Sequence, residues 1–154
     1  MANKYIHYGS NHFDRECFMP IENREIPWIK PLWWTGMWAS PIDASYGWKD
    51  WCLDNEFHIE KLKSSFMFEL KPDSKILYVR DNQELQNLKT HYSIPIDENN
   101  FWAKDLCVID FEYLYRLGYD AMEVHITTSD IYFGLYGWDC DSILIFNPDC
   151  IVTI

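Results

Sequence analysis

Apolar and polar residues alternate through residues 64–70, which predicts a short strand; residues 75–79 form another, with Pro72-Asp73 as the turn between them. Residues 4–8 form a further strand that closes on Gly9-Ser10, and the aromatic run 32–39 is strand-like. Residues 121–126, 131–135 and 142–146 complete the strands, and Tyr136-Gly137 makes a turn ahead of the last. The period turns helical three times. Residues 45–55 open a short helix with Ser45 as its cap and Trp48, Trp51 and Cys52 on one side. Asp81 caps a polar helix over 81–90, and an amphipathic helix over 110–118 ends at a glycine. Residues 11–30, interrupted by Pro20 and Pro27 and followed by Pro31, read as irregular or briefly helical. Short strands with small helices between and around them predict an α+β fold. No repeat or linker divides the sequence, so residues 1–154 read as one domain, long enough to bury a core.

Composition narrows the classes of partner. The net charge of −11, from 13 basic and 24 acidic residues, offers no basic surface for sequence-independent nucleic-acid binding or for an anionic membrane. A nucleotide is still compatible, because one or two lysines or arginines suffice to meet a pyrophosphate. Cys17, Cys52, Cys107, Cys140 and Cys150 are odd in number and lack metal-ligand spacing, which predicts free thiols, a reducing cytoplasmic location and no metal. No apolar run approaches the ~18 residues of a membrane span, and the N-terminus has no apolar leader core.

Aromatic residues make up 18% of the chain, with eight Trp and ten Tyr. Most belong in a core, but a surplus of tryptophan suits a binding site. Between Thr35 and Trp48 the chain sets Gly36, Trp38, Ala39, Ser45 and Trp48 close together. Tryptophan supplies a stacking face there, and small residues let backbone amides approach a flat ring. Tyr8-Gly9-Ser10 lies upstream, and Asp139-Cys140-Asp141 leads into the final predicted strand.

In this order the three segments resemble the ADP-ribosyltransferase superfamily, in the branch shared by poly(ADP-ribose) polymerases and diphtheria toxin. Gly36-Met37-Trp38-Ala39 looks like that branch's Gly-Ile-Tyr-Phe-Ala, and Ser45-Tyr46-Gly47-Trp48 like its Ser-x-x-Tyr. The separations from Gly9 to Gly36 and on to Asp141 suit the family as well. The resemblance implies split mixed β-sheets around an NAD cleft, with small flanking helices. It implies cleavage of NAD, as substrate, and transfer of ADP-ribose to a macromolecular acceptor, protein or nucleic acid. Gly9 and Ser45 would bind the nicotinamide carboxamide, Trp48 would stack on its ring, and Trp38 would wall the opposite side. Ser10 would hold the ribose, with Lys30 or Arg15 at the pyrophosphate. Tyr8 stands where the family has histidine, and His7 precedes it, so either supplies the first motif position. Asp141 stands for the family's catalytic glutamate, in an acid-x-acid pair with Asp139 reminiscent of the toxin branch; Glu123 is a reserve for that role. By analogy of fold, a compact transferase of this kind suits a bacterial or phage toxin or effector, kept in check by an antitoxin or inhibitor protein. Residues 11–30 and 57–63 are the loops expected to select the acceptor.

The same residues also admit plainer readings. Trp38 and Trp48 fit core aromatics, Gly9-Ser10 a strand-end turn, Asp139 and Asp141 solvated turn acids, and His125 a satisfied core or edge residue. An aromatic groove that binds a nucleotide or peptide without catalysis is the alternative function.

Overall fold

The computed structural model describes residues 3–24, 30–32, 34–94, 109–126 and 138–154. Among the described residues there are seven strands: β1 (Lys4–Tyr8), β2 (Met37–Pro41), β3 (Ser65–Leu70), β4 (Ile76–Val79), β5 (Ala121–Val124), β6 (Ser142–Ile145) and β7 (Ile151–Thr153). They join in the order β4-β5-β6-β2-β1-β3-β7. Every neighbouring pair is antiparallel except β4 with β5. That parallel pair requires a long crossover, and helices α2 (Asn82–Tyr92) and α3 (Phe111–Arg116) lie in it. A third helix, α1 (Trp48–Asn55), follows β2. The fold is α+β with one mixed sheet.

The expected pair of small sheets is instead one strand order, with β2 as the shared member. Met37, Trp38 and Ala39 pair with Ile145, Leu144 and Ile143 of β6, while Ser40 and Pro41 pair with Ile6 and Tyr5 of β1. Continuing the β1–β2 register would set Tyr8 against Trp38, but the ladder ends before it. The Trp38 carbonyl meets the His7 ring nitrogen Nδ1 at 2.6 Å instead. The two halves of the sheet therefore diverge at the Gly9 end of β1.

Alternation along the strands divides the core in two. Val79, Met122, Val124, Leu144 and Phe146 pack against Leu85 and Leu88 of α2 and against Phe111 and Leu114 of α3. Tyr5, Ala39, Phe68, Ala121, Ile143 and Ile145 fill the other side. Both crossover helices begin as local chemistry predicts: the Asp81 side chain accepts from the Glu84 N–H, and Asp110 from the Tyr113 N–H.

Three expectations are corrected. The strand predicted over 32–39 begins only at Met37, because Gly36 turns the chain at φ +68. A Cβ at Gly36 would lie 2.9 Å from the Ile145 carbonyl oxygen and 3.0 Å from Leu144 Cδ1. Gly36→Ala should therefore cost about 1–3 kcal/mol in urea denaturation, from left-handed strain and overpacking together; an unchanged midpoint would contradict this. Second, Ser45 does not cap α1. Gly47 occupies that position, and Ser40 of β2 reaches over to accept the Trp48 N–H at 2.9 Å. Third, β7 was not anticipated. The strand and turn predicted over 131–137 lie outside the described residues.

Candidate functional site

The strand register decides which of the predicted residues meet. Trp38 and Ser40, two apart on β2, share the side of the sheet that carries the helices. Trp38 packs against the helix-side core and contacts the ring of Trp138 at 4.8 Å. Lys30 Nζ lies 5.5 Å from the centre of the Trp38 ring, a cation–π distance. Burial pulls the Lys30 ammonium below its usual range, and nearby Asp139 opposes that shift. Arg15, the other candidate for a pyrophosphate, is paired instead with Asp149.

At the Ser40 end of β2, α1 docks through Gly47, where a Cβ would already touch Ser40 Cβ at 3.3 Å. The Gly47 N–H donates to the Asp50 carboxylate at 2.9 Å. Trp48 is half-buried and stacked on Trp51, with ring centres 5.1 Å apart and planes 13° from parallel. Phe57 meets both indoles edge-on. Ser45 is exposed in the turn just before. That turn is tied to β6, because the Asp141 N–H donates to the Tyr46 carbonyl at 3.0 Å. Ser45, Trp48 and the head of β6 are thus neighbours, joined through Ser40 and Tyr46.

The first motif sits elsewhere. Extending the two registers through β2 puts Asp141 level with Pro41 and Tyr5, and Gly9 level with Met37. Four residues of strand, about 13 Å, separate those levels. Gly9 has φ +105, and its N–H donates to the Ser64 carbonyl at 2.9 Å. Ser10 Oγ donates to the His12 carbonyl at 2.7 Å within its own turn. Burial raises the Tyr8 phenol, and Asp50 of α1 adds to the shift. His7 faces the other side, with its ring 5.2 Å from that of Phe66; burial lowers its pKa against the raising effect of the Trp38 carbonyl. The structure therefore gathers Ser45, Trp48 and Asp141 at one end of β2, and Trp38 with His7, Tyr8, Gly9 and Ser10 toward the other.

Asp141 engages the end of β5 through its carboxylate. Its Oδ1 accepts the Ile126 N–H at 2.9 Å, its Oδ2 is 4.0 Å from His125 Nδ1, and its side chain is 3% exposed. His125 Nε2 meets Glu123 Oε2 at 2.6 Å, and Tyr5 donates its hydroxyl to Glu123 Oε1 at 2.5 Å. A connected series, Tyr5–Glu123–His125–Asp141, thus crosses from β1 to the heads of β5 and β6. The hydrogen bond to Glu123 raises the His125 pKa, against burial, with Glu123 and Asp141 charges adding to it. Burial, then Glu123, drives the Tyr5 phenol far up. The Glu123-x-His125 spacing on a predicted strand was the signal for two side chains on one face. Nothing near Tyr5 in sequence announced its partner 118 residues away.

Among the described residues no group of three or more His, Cys, Asp or Glu side chains is arranged to hold a metal ion. No described helix is long and apolar enough to cross a membrane. No protein-family model, curated protein or solved structure is significantly similar to the chain.

Proposed function

We propose that the chain is an NAD-dependent ADP-ribosyltransferase. One observation carries the reading: the segments at 36–48 and 139–141, far apart in sequence, adjoin at the Ser40 end of β2 through the Trp48–Ser40 and Asp141–Tyr46 hydrogen bonds. Nicotinamide stacks on Trp48, whose partner Trp51 stiffens it, and the exposed Ser45 hydroxyl bonds the carboxamide. The remainder of the dinucleotide runs along β2, its pyrophosphate beside Lys30 over Trp38, toward Tyr8-Gly9-Ser10. Gly9 accordingly serves the far half of the ligand, away from the carboxamide that the resemblance assigns to it.

In the reaction the bond between nicotinamide nitrogen and ribose breaks, and its electron pair leaves with nicotinamide. The ribose gains oxocarbenium character, which a carboxylate at the head of β6 stabilises as it develops. An acceptor then adds to the sugar carbon and releases a proton. A macromolecular acceptor in the cytoplasm, and an antitoxin or inhibitor protein, belong to this proposal.

A second reading, an aromatic nucleotide- or peptide-binding module without turnover, is favoured by the burial of Asp141 and its bond to Ile126. A titration of NAD against intrinsic fluorescence, run beside nicotinamide release, separates the two. The first reading and the nucleotide-binding form of the second predict saturable binding that Trp48→Ala weakens about 5- to 150-fold, since one aromatic stack is worth about 1–3 kcal/mol. Release of nicotinamide occurs only under the first. Affinity unaffected by Trp48→Ala would remove Trp48 from the site.

A further inference from the structure

The Tyr5–Glu123–His125–Asp141 series places one imidazole between two carboxylates whose side chains are 5% and 3% exposed, while the imidazole itself is 32% exposed. We propose that His125 is a pH-operated latch: as imidazolium it ties Glu123 of β5 to Asp141 at the head of β6, and on losing its proton it loosens Asp141 and the Tyr46–Trp48 turn hung from it. The asymmetry of the contacts sets which end gives way. Neutral His125 still donates from Nε2 to Glu123 at 2.6 Å, and Glu123 keeps the Tyr5 hydroxyl. Asp141 faces Nδ1 at 4.0 Å, beyond hydrogen-bonding range, so that link is chiefly coulombic and goes with the charge, leaving the Ile126 N–H at 2.9 Å to hold the carboxylate.

The other groups near the imidazole come from β4 and β1. Arg80, just after β4, opposes protonation of His125, but its guanidinium is engaged by Glu84 of α2 at 2.9 and 3.0 Å. Tyr78 and Tyr5 are neutral at these pH values, and both phenols are held up by burial first and Glu123 next. Loosening of Asp141 reaches the aromatic turn because its N–H holds the Tyr46 carbonyl. The latch concerns the fold alone and stands whatever the chain binds.

Two histidines give the stability profile opposite slopes. His125, raised in the fold, contributes stability that is complete below the ordinary histidine value near 6.5 and is lost as pH rises through its folded pKa. His7, lowered by burial, contributes stability that is complete above that value and is lost as pH falls through its folded pKa.

The test is an NMR titration of the wild-type protein that follows the His125 ring together with the amides of Ile126, Asp141 and Tyr46–Trp48. The expected midpoint lies above 6.5, and these amides shift with the same midpoint. In His125→Gln they should no longer titrate there, and urea denaturation should lose its alkaline decline. Glu123→Gln should bring the His125 midpoint down toward its ordinary value. A His125 midpoint at or below 6.5 in folded wild type, or amides that stay fixed through it, overturns the latch. The wild-type titration decides the matter even if Glu123→Gln does not fold.

Discussion

Glu123→Ala should lower the stability of the protein by about 3 kcal/mol or more, because it removes the shared acceptor of two buried or half-buried donors. Tyr5 would keep a buried hydroxyl with no carboxylate to receive it, and His125 would lose its 2.6 Å partner. The cavity left beside Ile143, its partner on β6, adds to the loss, since Glu123 is only 3% exposed. Thermal denaturation should show the melting temperature falling by roughly 6–12 °C for a chain of this size. Glu123→Gln retains the acceptor oxygen and the volume, so its loss should be clearly smaller. Equal stability of Glu123→Ala and wild type would mean that the buried series contributes nothing net.

Asp141→Asn should reduce nicotinamide release from NAD by about 10²–10³-fold while the protein stays folded, the loss typical of one preorganised electrostatic group. Asparagine keeps an oxygen for the Ile126 N–H and nearly the same shape, so the substitution removes the charge and with it the coulombic link to His125. The NAD affinity set by Trp48 should change far less than the turnover. Wild-type release by a folded Asp141→Asn protein would take Asp141 out of the chemistry. Steady-state release measured with both proteins at saturating NAD makes the comparison.

Local chemistry was readable in this sequence, and distant pairing was not. Asp81 announced α2 because a cap and its amide lie within one turn, and an amphipathic pattern closed by Gly118 announced α3. Alternation announced β3, while β4, β5 and β6 showed as short apolar runs, β5 and β6 being buried on both faces. Ser45 looked like the cap of α1 for the same local reason, yet the hydroxyl that accepts Trp48 belongs to Ser40, brought in by the fold. β7 escaped notice because three residues carry little periodicity and its partner β3 lies some eighty positions earlier. At the candidate site, the sequence separations of the motifs gave their order but not their levels on the sheet. Register puts Gly9 and Asp141 at opposite ends of β2, and only the pairings of β1, β2 and β6 reveal this. The burial of Asp141 and the reach of Tyr5 to Glu123 are likewise products of strand order.

NAD cleavage is tested most directly as nicotinamide release by the purified wild-type protein, with Trp48→Ala alongside. Wild type should release nicotinamide above the rate in buffer, with water taking the place of an acceptor, and folded Trp48→Ala should show a marked loss. Wild-type protein that neither releases nicotinamide nor binds NAD saturably would contradict the proposed activity.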